Sequence, residues 1–132
     1  MRFFSPRVLA ILWTTIIIIG LTLPGSTLPQ SRLFEFDKLV HLVLFMVLAL
    51  LWLPAMSRGR FDRGLAILSM LVAFSVLTEI YQGMLPFGRR ADMLDAAADA
   101  MGALVGFVVW LIARRPLSTW EERTRRETVE KL

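Results

Sequence analysis

Four apolar runs separated by short polar connections account for most of the chain: Val8 to Leu23, Leu39 to Leu53, Gly64 to about Gly83, and about Asp95 to Ala113. Each predicts a membrane-crossing helix, allowing for the polar residues at one end. The first is the shortest in reach. At about 1.5 Å per residue it extends about 24 Å, slightly less than a ~30 Å hydrocarbon core unless Phe3 and Phe4 help. Arg2 and Arg7 before it also fit the basic end of a signal peptide, but the run is long and the small-residue cleavage pattern after it is poor. Pro24-Gly25 end the first run, Pro54 closes the second, and Arg114-Arg115-Pro116 stop the fourth. The expected fold is all-α: an integral membrane bundle of four transmembrane helices over residues 1–113, followed by a charged tail over residues 114–132. Within the tail, Ser118-Thr119-Trp120-Glu121 reads as a capping box opening a solvated or surface-lying helix.

Composition agrees with a chain solvated by lipid. Of 132 residues, 56% are hydrophobic and 20% charged, more apolar surface than a soluble domain of this size can hide. The absence of cysteine excludes disulfides, thiolate metal sites and thiol nucleophiles, and a single histidine excludes a multi-histidine metal centre. The net charge of +4 does not indicate nucleic acid, because the basic residues lie between apolar segments rather than on one soluble face. Their placement sets orientation instead. Arg2, Arg7, Arg58, Arg60, Arg63, Arg114, Arg115, Arg123, Arg125, Arg126 and Lys131 fall on one side of a four-span topology, and only Arg32, Lys38, Arg89 and Arg90 on the other. The positive-inside rule then makes both termini cytoplasmic in a multi-pass protein of the inner or plasma membrane. Trp52 and Trp110 would lie near the cytoplasmic interface.

That topology gathers the unusual residues at the outer end. Asp37 and His41 share a helix face, with Lys38 beside them, and Ser75, Glu79 and Gln82 line one stripe of the next helix. Asp95, Asp99, Gly102 and Gly106 follow a four-three-four spacing, so the acids lie on the face of the close-packing glycines. A face that packs closely cannot point at lipid, and the acids therefore point inward. Each residue also has a plain structural reading. His41 can be a hydrogen-bonded core group, Glu79 an ion-pair partner of Arg89 or Arg90, and Asp95 an acid favoured by a helix N-terminus. Asp92 is expected to face water. The Gly102/Gly106 stripe, extended back to Ala98, reads first as helix packing, and it could also mediate a homo-oligomer.

At these residues the sequence resembles the VanZ-like family. Its pattern of Asp-Lys-x-x-His, Glu-x-x-Gln, Pro-Gly-Arg, Asp, and Asn or Asp before Gly-Ala is met by Asp37-Lys38-Leu39-Val40-His41, Glu79-Ile80-Tyr81-Gln82, Arg89, Asp95 and Asp99-Ala100-Met101-Gly102-Ala103. Two positions depart from it: Phe87-Gly88-Arg89 replaces Pro-Gly-Arg, and Asp99 stands where many relatives carry Asn. The resemblance covers roughly Asp37 to Gly106. It implies a small cell-envelope membrane protein whose namesake is linked to resistance to teicoplanin, and it supplies no reaction.

The expected function is binding of, or action on, an anionic lipid or lipid-linked cell-wall precursor in a polar pocket at the outer leaflet. In an enzymatic form His41 is the general base oriented by Asp37, and Glu79 or Asp95 is the acid. Lys38 and Arg89 hold the anionic head, with Gln82 and Asp99 completing the binding residues. No serine or threonine lies in a nucleophile motif, and no metal-binding motif is present. The carboxylates could nevertheless hold a divalent cation, with Gln82 as an oxygen ligand. The alternatives are a non-catalytic membrane module that docks on envelope enzymes and, with less support, a proton-coupled carrier. A carrier would place its polar residues nearer the midplane.

Overall fold

Ser5 opens the first helix in the manner of its residue type. Its hydroxyl accepts from the Val8 amide at 3.3 Å, and Pro6 follows at the first helical position, where its missing N–H costs nothing. The computed structural model describes residues 5–23, 33–86 and 91–114, and within them finds four helices: α1 (Pro6–Thr22), α2 (Leu33–Met56), α3 (Phe61–Met84) and α4 (Met93–Ala113). Those of α2, α3 and α4 are long and apolar enough to cross a membrane; α1, with 17 residues, is shorter. The chain is all-helical over the described residues and is a multi-pass membrane protein.

The distribution of side chains is that of a protein with lipid as solvent. Met70, Leu77, Ile19 and Ile112 are exposed on the outer surface, whereas His41, Glu79, Gln82, Asp95 and Asp99 are buried. The apolar core, built on Phe45, Leu48, Leu53, Ala103 and Phe107, lies between α2 and the helices around it.

The helices run alternately up and down. One end collects the C-terminal ends of α1 and α3 with the N-terminal ends of α2 and α4, and Thr22 and Tyr81 share a 3.1 Å hydrogen bond there. At the opposite end Arg114 donates to the Gly59 carbonyl at 2.8 Å and lies over the Trp110 and Phe61 rings. Arg58, Arg60 and Arg63 belong to that same end, so among the described residues the bundle is basic at one end and acidic at the other.

The boundaries differ from expectation in all four helices: α1, α2 and α3 begin at Pro6, Leu33 and Phe61 rather than at Val8, Leu39 and Gly64. Pro54 does not close α2; the helix carries it inside its last turn and continues to Met56. Proline so close to a C-terminus removes only one internal bond, and the Ser57 amide still reaches the Leu53 carbonyl at 2.9 Å. In α4 the start is Met93 rather than Asp95, because Asp92 caps it. The two tryptophans also turn inward: Trp52 is half-buried and bonds Thr14, and Trp110 is 6% exposed. The expected tail helix lies outside the described residues.

Among the described residues, α1 docks on α2 by two side-chain bonds. The Trp13 indole donates to the Leu44 carbonyl at 3.1 Å and the Trp52 indole to the Thr14 hydroxyl at 3.1 Å. Each gives an indole N–H an acceptor that lipid cannot supply. Trp13→Phe is therefore expected to lower stability by about 1 kcal/mol, the usual net value of one such bond. Chemical unfolding of the detergent-solubilised protein measures it.

Candidate functional site

Close approach of α2 and α4 builds the site. A Cβ added at Gly102 would collide with the Leu42 carbonyl of α2, and one at Gly106 would lie 2.7 Å from both the Met46 carbonyl oxygen and the Ala49 Cβ. Only glycine lets the two backbones meet this closely, so the small-residue stripe is used within the chain. Leu42 follows His41, and Gly102 lies three residues beyond Asp99. The contact that requires Gly102 thus delivers Asp99 to His41.

The resulting pair is deep. His41 Nδ1 and Asp99 Oδ1 are 3.0 Å apart, with the two residues 7% and 1% exposed. Asp37, expected to orient the imidazole from one turn away, is 4.0 Å from Nε2 and half exposed. That distance is beyond a hydrogen bond, and the orienting acid is Asp99. Helical geometry explains the shift: a neighbour at i,i+4 on the same helix lies beside the ring, whereas a side chain arriving from α4 meets it in the interior.

Lys38 also has a different role from the one expected. Its ammonium lies 3.0 Å from Asp95 Oδ1 and 3.2 Å from Asp92 Oδ2, tying α2 to the start of α4. It is engaged with carboxylates of its own chain rather than held ready for an anion. Asp92, expected merely to face water, has three connections. Its carboxylate accepts from the Leu94 amide at 2.9 Å, capping α4, and takes the Lys38 contact, while its amide donates to Glu79 Oε2 at 2.8 Å. The Leu94 amide, followed by the Lys38 ammonium, holds the Asp92 carboxyl below the usual carboxylate range. An Asp three residues before a first-turn Asp, ahead of an apolar run, is the sequence signal for such a cap.

Glu79 and Gln82 are buried on one stripe of α3, 6% and 4% exposed. Ser75 and Thr78 on the same helix donate their hydroxyls back to the Val72 and Ser75 carbonyls, each at 2.8 Å. Ligand atoms of His41, Glu79 and Asp99 lie within 4.8 Å of one another, as do those of Asp37, His41 and Asp95. The structure therefore brings His41, Glu79, Asp95 and Asp99 together, with Asp37 and Lys38 at the mouth. Arg89 lies outside the described residues.

Chemically, the Asp99–His41 pair can fix one imidazole tautomer and stabilise a proton on the ring, the arrangement that suits a general base or a metal ligand. The bonded hydroxyls of Ser75 and Thr78 offer no comparably activated nucleophile.

The VanZ/LLP1 family model matches residues 7–114. No curated protein and no solved structure matches the chain.

Proposed function

The chain belongs to the VanZ/LLP1 family, and from that membership and the pocket geometry we propose a cell-envelope membrane protein that takes the headgroup of an anionic lipid or lipid-linked cell-wall precursor from the outer leaflet. One observation carries this reading: three span-length helices direct an imidazole and three carboxylates to one buried level of a bundle whose outer surface is apolar. At the bilayer centre an acid costs on the order of 3 kcal/mol on insertion scales, and acids within membrane helices usually face a partner or a wet cavity. The division between a basic end and an acidic end supports an orientation with the termini in the cytoplasm and the pocket facing outward.

Bonded hydroxyls on α3 favour binding, or proton transfer by His41 to a bound molecule, over a covalent intermediate. In the proton-transfer form His41 is the base, Asp99 positions it, and Glu79 is the acid. An effect on teicoplanin would follow where the bound molecule is a precursor that the drug also recognises.

Native mass spectrometry of the purified protein tests the proposal. Wild type is expected to retain an anionic envelope lipid, and His41→Ala, Glu79→Gln and Asp95→Asn to lose it while remaining folded. Retention by all three variants would instead favour a module that docks on envelope enzymes. In intact cells, a cysteine placed at exposed Arg58 should be shielded from an impermeant reagent added outside; labelling there would reverse the orientation.

A further inference from the structure

Acids outnumber bases in the pocket. Among the described residues it holds Asp37, Glu79, Asp92, Asp95 and Asp99 against Lys38 and one imidazole, and Lys38 is already engaged by two of the acids. An anionic headgroup entering such a site meets like charge unless a cation stands between.

We propose that His41, Glu79 and Asp99 together bind one divalent transition-metal cation. The three side chains come from three different helices, are each more than nine-tenths buried, and present a mixed nitrogen and oxygen donor set. Three atoms no more than 4.8 Å apart lie within about 2.8 Å of a common centre (4.8/√3), so each needs at most about 0.6–0.8 Å of inward side-chain movement to reach the about 2.0–2.2 Å of Zn–N and Zn–O bonds. The pair at its heart needs no contraction. An octahedral edge with bonds of about 2.1 Å spans about 3.0 Å, and His41 Nδ1 and Asp99 Oδ1 are 3.0 Å apart. An ion can thus replace the proton they share without moving α2 or α4. One imidazole with two carboxylates suits a first-row ion such as manganese, iron or zinc better than calcium, which prefers oxygen alone.

The neighbouring trio of Asp37, His41 and Asp95 is the weaker candidate. Asp37 is half exposed, and Asp95 already has the Lys38 ammonium at 3.0 Å, which would repel a second cation. Glu79 is further fixed by the Asp92 amide, the outer hydrogen bond that orients a ligating carboxylate. The ion's role in holding a phosphate or carboxylate headgroup rests on the lipid reading above; its binding does not.

The full chain in detergent, stripped with chelator and titrated with Mn²⁺, tests the site through the loss of the free-ion EPR signal. One ion per chain is expected, with nitrogen coupling from the imidazole in the pulsed spectrum. Glu79→Gln and Asp99→Asn, which preserve shape, should each weaken binding by at least the about 10–100-fold that loss of an outer-shell partner costs. Asp62→Asn, at the opposite end, should change nothing. The proposal is overturned by absence of stoichiometric binding, or by a wild-type spectrum lacking nitrogen coupling, a result that depends on no variant's folding. Loss of binding in Asp37→Asn and Asp95→Asn but not in Glu79→Gln and Asp99→Asn overturns it too, by assigning the ion to the other trio. Lipid retained by the same sample is measured separately. Bound Mn²⁺ without retained lipid keeps the metal site and removes the headgroup role, and retained lipid without bound Mn²⁺ does the reverse.

Discussion

Gly102→Leu is expected to abolish the folded bundle, and Gly102→Ala to destabilise it by about 3 kcal/mol or more, the upper end for overpacking a core. The reason is the partner. A Cβ at Gly102 meets the Leu42 backbone carbonyl, which cannot rotate aside as a side chain would. Relief requires α2 and α4 to separate, and that withdraws Asp99 from His41. Gly106→Ala, which meets the Ala49 methyl as well as the Met46 carbonyl, should cost about 1–3 kcal/mol. Gly20→Ala in α1, with nothing within 4 Å, should stabilise by about 0.5–1 kcal/mol through helix propensity. Unfolding in mixed detergent, followed by tryptophan fluorescence, ranks the three. A Gly102→Ala protein as stable as wild type would show that the two helices do not approach this closely.

Breaking the buried pair is the second large effect. In chelator, His41→Ala and Asp99→Ala should each cost about 3–5 kcal/mol, because each leaves the other partner buried with its polar atom stranded. The double variant should cost clearly less than the sum, with a coupling of about 1.5–3 kcal/mol for a hydrogen bond to a charged group. Coupling between His41 and Asp37, which lie 4.0 Å apart with Asp37 half exposed, should stay below about 1 kcal/mol. Equal couplings to both acids would return the orienting role to Asp37. A double-mutant cycle is the appropriate measurement, since it subtracts what each side chain does alone.

Most of the site's membership is legible in the sequence. Helical spacing puts Glu79 and Gln82 on one stripe and Asp95, Asp99, Gly102 and Gly106 on another, and both stripes are buried. The partnerships are not legible. Spacing along one helix suggested that Asp37 serves His41, yet the acid that does so is 58 residues away. Likewise Lys38, whose charge suited an anion, is held by Asp92 and Asp95. Asp92, whose place before the helix suits exposure to water, reaches Glu79 through its backbone and begins α4 with its carboxylate. The proline in α2 misled for a related reason: its local effect is certain, but its consequence depends on how much helix remains beyond it.

By itself the amino-acid order determined the solvent, the helical class and the faces. Apolar runs of bilayer length have no other way to satisfy their backbones, and a period of 3.6 residues decides which side chains share a stripe. Only the tertiary structure decided which stripe meets which. That choice turns on backbone approach at Gly102 and Gly106, a contact between residues far apart in the chain, and a distance of this kind has no signature in any single helix. The match of Asp99 to His41, and the donor set they form with Glu79, follow from it.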